Sequence, residues 1–238
     1  MRELLIIVPS RGRPQNLVRV VAAWRATDAF KVAALLFAID RDDPDRQAYI
    51  DAGTQLHEPG LILTTATRTP MAPRTNFEAY QAAQIMVGQF VALGSAGDDH
   101  LPRTPGWAQR YLAELAQLGT GIVYGDDGYQ GATLCTEWAM TADIVRALGR
   151  LIPAPVDHLY ADNAVRDLGH AAGCLKHLPD VRIEHVHPAA GRAEWDEGYR
   201  RVNAAVQYRR DRAAYQTWQR EQLPADAALV RALREEAR

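Results

Sequence analysis

Apolar runs and amphipathic stretches alternate along most of the chain. Residues 4–8, Leu-Leu-Ile-Ile-Val, are apolar without period-2 alternation, which predicts a strand buried on both faces of a parallel sheet. The polar stretch Pro9-Ser10-Arg11-Gly12-Arg13-Pro14 follows. Leu17, Val20, Val21 and Trp24 then recur at helical spacing over residues 16–24, with Pro14 suited to a first helical turn. Strand, polar loop and helix open a βαβ unit. Residues 32–39 predict a second strand running into Asp40-Arg41-Asp42-Asp43-Pro44, residues 45–52 a short helix closed by Gly53, and residues 61–64 a third strand. Met71-Ala72-Pro73-Arg74-Thr75-Asn76 leads into a helix predicted over residues 77–87 and ended by Gly88, so Arg74 and Asn76 stand at its start. Residues 90–93 form the next buried strand, which exits into Gly97-Asp98-Asp99-His100.

The second half continues the alternation. It predicts a helix from Trp107 to residue 118, a strand over 121–124, an acidic turn Gly125-Asp126-Asp127-Gly128 and a strand over 134–139. A helix over 142–148 follows between Thr141 and Gly149. Residues 156–169 predict a helix that sets Asp162 one turn from His158, and residues 174–178 and 181–186 are late strands. A long polar helix then carries Tyr199, Val202, Val206, Tyr215 and Trp218 as a broken apolar face. The pattern predicts an α/β chain over residues 1–198, its mostly parallel central sheet flanked by helices, with a C-terminal helical extension over 199–238 packed on it.

Composition narrows the classes of function. With 238 residues the chain buries one good core, and 47% hydrophobic with 24% charged residues is ordinary for a globular protein. The net charge of −2 supplies no global basic field for nucleic acid. Cys135 and Cys174 are far apart and form no CxxC pair, so neither a disulfide framework nor a thiolate zinc site is indicated, and a reducing cytoplasm fits. No leader pattern opens the chain, because the apolar run 4–8 is too short and is stopped by Pro9. No apolar run approaches the length of a membrane span, so no membrane partner is expected.

Candidate chemistry gathers where predicted strands end. Adjacent carboxylates such as Asp98 and Asp99 repel and lose hydration, and a hard cation such as Mg²⁺ or Mn²⁺ neutralises them. Gly-Asp-Asp is also ordinary turn chemistry, and both readings stand on these residues alone. Ser10, Arg11 and Arg13 lie beyond the first strand's carboxyl end, where open α/β sheets bind ligands, and suit a nucleotide or phosphate unless they are simply solvated. Their loop has neither the GxGxxG nor the Walker pattern. Asp40 is placed to accept from a ribose hydroxyl or a base N–H. Asn76 is either a ligand or a cap, whereas Arg74 beside it is harder to explain as structure. His185 and His187 share one strand face, as metal ligands or as solvent-facing residues. Trp138 is core or a platform for a ring-shaped acceptor. Arg200, Arg201, Arg209, Arg210 and Arg212 make one basic strip on the late helix.

Taken in order, Val8 to Pro14, Asp40, Arg74 with Asn76, Gly97 to His100, Asp162 and His185-x-His187 with Gly191-Arg192 resemble the GT-A glycosyltransferases. The nearest likeness is to the family-two-like branch and its small phage-encoded members. That resemblance covers most of residues 4–200. It departs from the family's Asp-x-Asp signature, since Gly97 stands at the first position and the two acids are adjacent.

The resemblance implies a Rossmann-like GT-A fold and an inverting, metal-dependent transfer of a sugar from a nucleotide-sugar donor, a UDP-sugar first. Pro9, Ser10, Arg11, Arg13, Asp40, Arg74, Asn76, Asp98 and Arg192 would bind the donor. Asp99 and His187 would hold Mn²⁺ or Mg²⁺, the adjacent acids leaving open whether Asp98 or Asp99 is the main ligand, and Asp162 would be the general base, with His158 a competitor for that role. The phage likeness implies a hydroxymethylated pyrimidine in DNA as acceptor, within the host cytoplasm. Trp107 or Trp138 would then stack a flipped base beside His158, and the late arginines would track phosphates. A saccharide is the alternative acceptor. A sugar nucleotidyltransferase would need a Gly-rich first loop, and residues 9–14 hold one glycine. A non-catalytic nucleotide-sugar-binding domain is favoured only by Gly97.

Overall fold

The computed structural model describes residues 2–85 and 88–236. Its centre is an eight-stranded sheet in the order β3-β2-β1-β4-β7-β6-β8-β5. The strands are β1 (Leu4–Ser10), β2 (Ala33–Asp40), β3 (Leu61–Ala66), β4 (Ala92–Ser95), β5 (His100–Pro102), β6 (Ile122–Asp126), β7 (Trp138–Thr141) and β8 (Leu175–His185). β1, β2, β3 and β4 pair in parallel; β7 runs against both β4 and β6, β8 runs with β6, and β5 runs against β8. The expectation of a mostly parallel sheet holds.

β1 is central because its apolar run has no polar face to offer water: Leu4 to Val8 are each no more than 2% exposed. Its helix, α1 (Pro14–Ala26), begins with Pro14 in the first turn. Leu17, Val20, Val21 and Trp24 of α1 bury against one face of the sheet together with Leu4, Ile6 and Val8. The other face is covered by α3 (Met71–Ile85), α5 (Ala142–Leu148) and α6 (Ala161–Ala172). α2 (Arg46–Leu56) and α4 (Trp107–Leu118) complete the flanking helices. Beyond β8 come α7 (Glu197–Val202), α8 (Ala205–Glu221) and α9 (Leu223–Glu236). Tyr215 and Trp218 of α8 and Ala227 and Val230 of α9 join the core that holds Leu5, Ile7 and Met140.

Several elements differ from expectation for local physical reasons. The fourth strand starts at Ala92 rather than residue 90, leaving Val91 half exposed, because only residues 92–95 pair with β1. Gly94 is required there, since a Cβ would strike the Trp138 carbonyl of β7. α2 runs through Gly53 and ends at His57 in the left-handed conformation. α3 starts at Met71, because Pro73 falls in a first turn whose N–H groups need no helical partner. The helix end predicted at Val87 lies outside the described residues. The strand expected over 134–139 is shorter and later, after a 3₁₀ turn at Gly131–Thr133. The two late strands are halves of one strand, β8, whose register jumps between Gly125 and Asp126 of β6. The predicted long helix is broken at residues 203–204 into α7 and α8.

The earlier start of α3 gives Asn76 a structural task. Its Oδ1 accepts from the backbone N–H of Leu151 at 2.9 Å and of Ile152 at 2.7 Å, and its Nδ2 donates to the Ile152 carbonyl at 3.1 Å. Asn76→Ala therefore strands two N–H groups of fully buried residues. The expected loss is about 1–3 kcal/mol, a fall in melting temperature of roughly 3–10 °C. Donor binding is expected to stay unchanged in a calorimetric titration.

A second buried polar group makes stability depend on pH. Glu137, 3% exposed, accepts from Tyr111 Oη and from the Gly125 N–H at 2.8 Å. Burial pushes its carboxyl up to about 7. The folded value thus lies above the unfolded one, so folding favours the protonated form. Stability is expected to fall as pH rises from about 4.5 to 7 and then to level off. Glu137→Gln keeps the accepting oxygen without the charge. It is expected to flatten this dependence and to raise stability at pH 8 by on the order of 2–3 kcal/mol, read by urea unfolding across pH.

Candidate functional site

The carboxyl ends of β1, β2 and β4 and the far end of β8 open into a cleft of about 1000 Å³. Pro9, Ser10, Arg11, Arg13, Asp40, Arg74, Asp98, Asp99, His158, Asp162, His187 and Trp138 all line it. Thus twelve of the fifteen predicted site residues converge from loops as far apart as residues 9 and 187. This is where an open α/β sheet binds its ligands.

The two adjacent acids separate in function because successive side chains leave the backbone in different directions. Asp98 turns toward the first loop, accepting from Ser10 Oγ at 2.5 Å and Arg13 Nη1 at 3.2 Å. Burial, then the neighbouring Asp99 charge, pushes the Asp98 carboxyl up to about 6. Asp99 turns the other way, toward histidines. Its Oδ2 lies 3.4 Å from His185 Nε2, and its Oδ1 lies 3.3 Å from His100 Nδ1. Burial alone would raise the Asp99 carboxyl, yet the charged His185 beside it holds it well below the ordinary carboxylate range.

The pairing of β5 with β8 sets His100 opposite His185, and the rings stack 4.0 Å apart. The Gly97 N–H donates to His100 Nδ1 at 3.0 Å, so that nitrogen carries no proton in the neutral ring. Burial and the His185 charge both lower His100, which makes it the neutral partner. The positive charge facing Asp99 is therefore on His185. Burial opposes that charge, but Asp127 and Asp99 raise His185 to about 9. Asp127 is a rigid counter-ion: its carboxylate accepts the N–H groups of Tyr129, Gln130 and Gly131 and the Thr136 hydroxyl.

Asp99, His185 and His187 each present a ligand atom within 4.8 Å of the other two. One hard carboxylate and two imidazoles suit a divalent first-row ion such as Mn²⁺. The remaining nitrogen of His185, Nδ1, is buried without a hydrogen bond and faces Asp127 Oδ2 at 3.7 Å. That carboxylate lies beyond hydrogen-bond reach, and Nε2 is the His185 nitrogen turned toward Asp99. The residues present therefore fit a bound divalent metal, which would take the place of the proton on His185.

Residues 195–199 close over this cluster. Tyr199 Oη donates to Asp99 Oδ2 at 2.7 Å, and its ring lies under the Arg13 guanidinium at 3.9 Å. Arg13 also grips Asp196 through two bonds of 2.8 Å. On the opposite side, Arg11 bridges Asp40 at 3.0 Å and Asp42 at 2.8 Å. Arg74, 3% exposed, is held by Glu78 at 2.8 Å and Thr64 at 3.1 Å, so its charge is already paired beneath the cleft.

Asp162 stands in the first turn of α6 and faces the cleft, with burial raising its carboxyl. His158 reaches the same wall by another route than predicted. Residues 156–160 are not helical, and α6 begins only at Ala161, so the two do not share a helix face. Tyr160, with φ of 66°, makes the left-handed turn that starts the helix. Burial pushes His158 down to about 4, leaving a neutral ring.

Three predicted residues are not brought to the cleft. Asn76 caps the 151–152 turn, as described above. Trp107 packs edge-on against Trp24 and Tyr111 at 5.3 and 5.2 Å, 3% exposed, because its position opening α4 faces the core. Arg192 donates to the carbonyls of Asp127, His185 and Gly128, tying the acidic turn to the end of β8. Conversely, the residue pattern did not single out Asp127, Asp196 or Tyr199 for the site. Asp127 reads as a turn residue between glycines and Tyr199 as helix face; only the His-x-His alternation pointed toward His185.

No protein-family model matches the sequence, and the search of curated proteins finds no match. Solved structures do match. The mannosyltransferase PcManGT from Pyrobaculum calidifontis, in complex with GDP-Man and Mn²⁺, superposes with a TM-score of 0.66 at 13% identity, over 100% of this chain and 74% of that one. TarS residues 1–349 from S. aureus superposes with a TM-score of 0.58 at 9% identity, over 98% of this chain and 90% of that one. Its complex with UDP-GlcNAc gives 0.55 at 10% identity, over 99% and 82%. At these identities the likeness is one of fold. The chain has the mixed α/β fold of the GT-A glycosyltransferases, with helices at its C-terminal end.

Proposed function

We propose that this protein is an inverting, metal-dependent glycosyltransferase that uses a nucleotide-sugar donor. The observation that carries the reading is the Asp99–His185–His187 cluster at the strand ends of a GT-A sheet, in one cleft with the buried carboxyl of Asp162. A divalent ion held there supplies positive charge to a departing diphosphate. The chain's own residues do the rest. Ser10, Arg11 and Asp40 border the place for a nucleoside, and Arg13, which holds Asp98 and Asp196 and lies over Tyr199, would exchange a carboxylate for a phosphate oxygen. Asp162 takes the proton from an acceptor hydroxyl as that oxygen attacks the anomeric carbon. Its raised carboxyl makes it a better base than an ordinary aspartate. One base carboxylate suits a one-step inverting displacement.

Both neighbours named with donors hold nucleotide sugars, GDP-Man in one and UDP-GlcNAc in the other. That supports the donor class and leaves UDP- and GDP-sugars as the first to try. Trp195 and Tyr208 line the cleft with exposed rings and give an acceptor ring apolar faces to rest on, whereas Trp138, 3% exposed, packs in the core. A cytoplasmic setting fits the two free buried cysteines. Among the described residues no helix is long and apolar enough to cross a membrane.

The test is a mass-spectrometric screen of nucleotide sugars with Mn²⁺, offered hydroxymethylated DNA and small saccharides as acceptors. Release of nucleoside diphosphate together with a mass gain of one sugar on an acceptor is the expected result. A gain on DNA nucleosides assigns the DNA acceptor; a gain on saccharides alone removes it. No release from any donor reduces the protein to a nucleotide-sugar-binding domain.

A further inference from the structure

The segment that delivers His158 and Asp162 to the cleft is irregular, and nothing in its own sequence holds it. Residues 156–160 form neither helix nor strand, and Tyr160 adopts a left-handed conformation that costs a side-chain-bearing residue energy. Such a turn persists only when its surroundings impose it. Here α3 gives one bond, the Ala72 N–H donating to the Asp157 carbonyl at 2.9 Å, and α8, more than forty residues further along the chain, gives the charged ones.

Asp211 of α8 is 1% exposed and aims its carboxylate at the backbone of this turn. Oδ1 accepts from the Asp157 N–H at 3.0 Å, and Oδ2 accepts from the N–H groups of His158 at 3.1 Å and Leu159 at 2.8 Å. Gln207, one turn earlier on α8, donates to the same Oδ2 at 2.9 Å. Three consecutive N–H groups converging on one carboxylate form a nest whose charged acceptor makes each bond strong. Two further contacts from α8 act on the same turn. Arg210 pairs with Asp157 at 2.8 Å, and Tyr215 stacks on Tyr160 with ring centres 5.1 Å apart. Burial opposes the Asp211 charge, yet these donors hold its carboxyl below the ordinary range, so it is ionised at neutral pH.

We infer that Asp211 is a positioning residue for the catalytic wall: its carboxylate holds the 157–159 turn so that Asp162, at the start of α6, faces the acceptor hydroxyl. The inference rests on the proposed role of Asp162 as base. Asp211 itself does not line the cleft, so it acts through the turn and not on the substrate. Loss of its charge would let the turn relax and Asp162 sample unproductive directions. The donor side, built by β1, β2, β4 and β8, would be left as it is. Misplacing a base by a fraction of an ångström lowers turnover without changing donor binding.

The experiment combines kinetics with amide hydrogen exchange on the full-length protein. In the wild type the amides of Asp157, His158 and Leu159 are expected to be protected although they lie in a loop. Asp211→Asn replaces one accepting oxygen by an NH₂ group that cannot accept, and is expected to speed exchange at these three amides. It should also lower kcat by about 10- to 100-fold while the donor KM and the affinity for Mn²⁺ with nucleoside diphosphate stay within twofold. Asp211→Glu, which restores the charge, should recover part of kcat. Unchanged kcat despite faster exchange would overturn the inference, as would unchanged exchange. Should Asp211→Asn not fold, Asp211→Glu, whose longer side chain shifts the oxygens that accept the three N–H groups, is read against the wild type by the same two criteria with a smaller loss. Failure of the functional reading looks different: either no donor is turned over by the wild type, or Asp162→Asn remains active. In both cases exchange at 157–159 still reports whether Asp211 holds the turn.

Discussion

Asp162→Asn is expected to lower the rate of sugar transfer by about 10³-fold, within the range that a positioned general base contributes. The substitution keeps the side chain's shape and leaves Oδ1 able to accept the Asn163 N–H, a bond of 2.9 Å in the native protein. The start of α6 should therefore survive, and melting temperature should change little. The amide cannot take a proton, so only the step that removes it from the acceptor suffers. The affinity for donor, read by calorimetry with nucleoside diphosphate and Mn²⁺, should stay within about twofold, since none of the groups around Ser10, Arg13 or Asp99 bonds to Asp162. A loss of donor affinity in place of turnover would move Asp162 out of the base role and into the binding surface.

Asp99→Asn is the second large effect. Asparagine keeps an oxygen for the Tyr199 hydroxyl, a 2.7 Å bond in the native protein, but removes the charge that faces His185 at 3.4 Å. The cluster then has two imidazoles and no anion. Mn²⁺ affinity should fall by at least about 100-fold, and transfer should fall with it by about 10³-fold, as metal and electrostatic stabilisation of a leaving group are lost together. Titration of Mn²⁺ followed by electron paramagnetic resonance reads the first number directly. Asp98→Asn is the control. Asp98 bonds to Ser10 and Arg13 and does not belong to the cluster, so that variant should keep Mn²⁺ binding and weaken donor affinity instead. The reverse pattern, with Asp98→Asn losing the metal and Asp99→Asn keeping it, would reassign the ligand to Asp98.

Most of the strand ends that build the site are legible in the residue pattern. An unbroken apolar run followed by a polar loop is a local signal, and residues 4–14, 32–40 and 90–99 each carry it. Boundaries were less visible. The start of β4 at Ala92 is set by pairing with β1 and not by the hydrophobicity of Phe90 and Val91. The helix predicted through 156–169 fails in its first turn for a similar reason: hydrogen bonds from residues 157–159 go to Asp211 and not along a helix. Asn76 read as a site candidate because it stands where a helix was expected to begin, and Trp107 because a flipped base would stack on its ring. Both are turned inward by neighbours the pattern cannot show, the 151–152 turn for one and Trp24 with Tyr111 for the other.

By itself, the order of residues determined the alternation of strands and helices, the mostly parallel sheet, and the edge at which Ser10, Arg13, Asp40 and the Asp98–Asp99 pair emerge. Periodicity and turn chemistry act over a few residues, and these features are built over a few residues. Only the tertiary structure decided how the two acids divide, one to Ser10 and Arg13 and one to the histidines. It alone placed Asp127 behind His185, Tyr199 over Asp99, and Asp211 beneath the turn that carries His158. Each of those is a contact between side chains tens of residues apart. Their distances depend on strand register and helix packing, and hydrophobic spacing along the chain does not encode either.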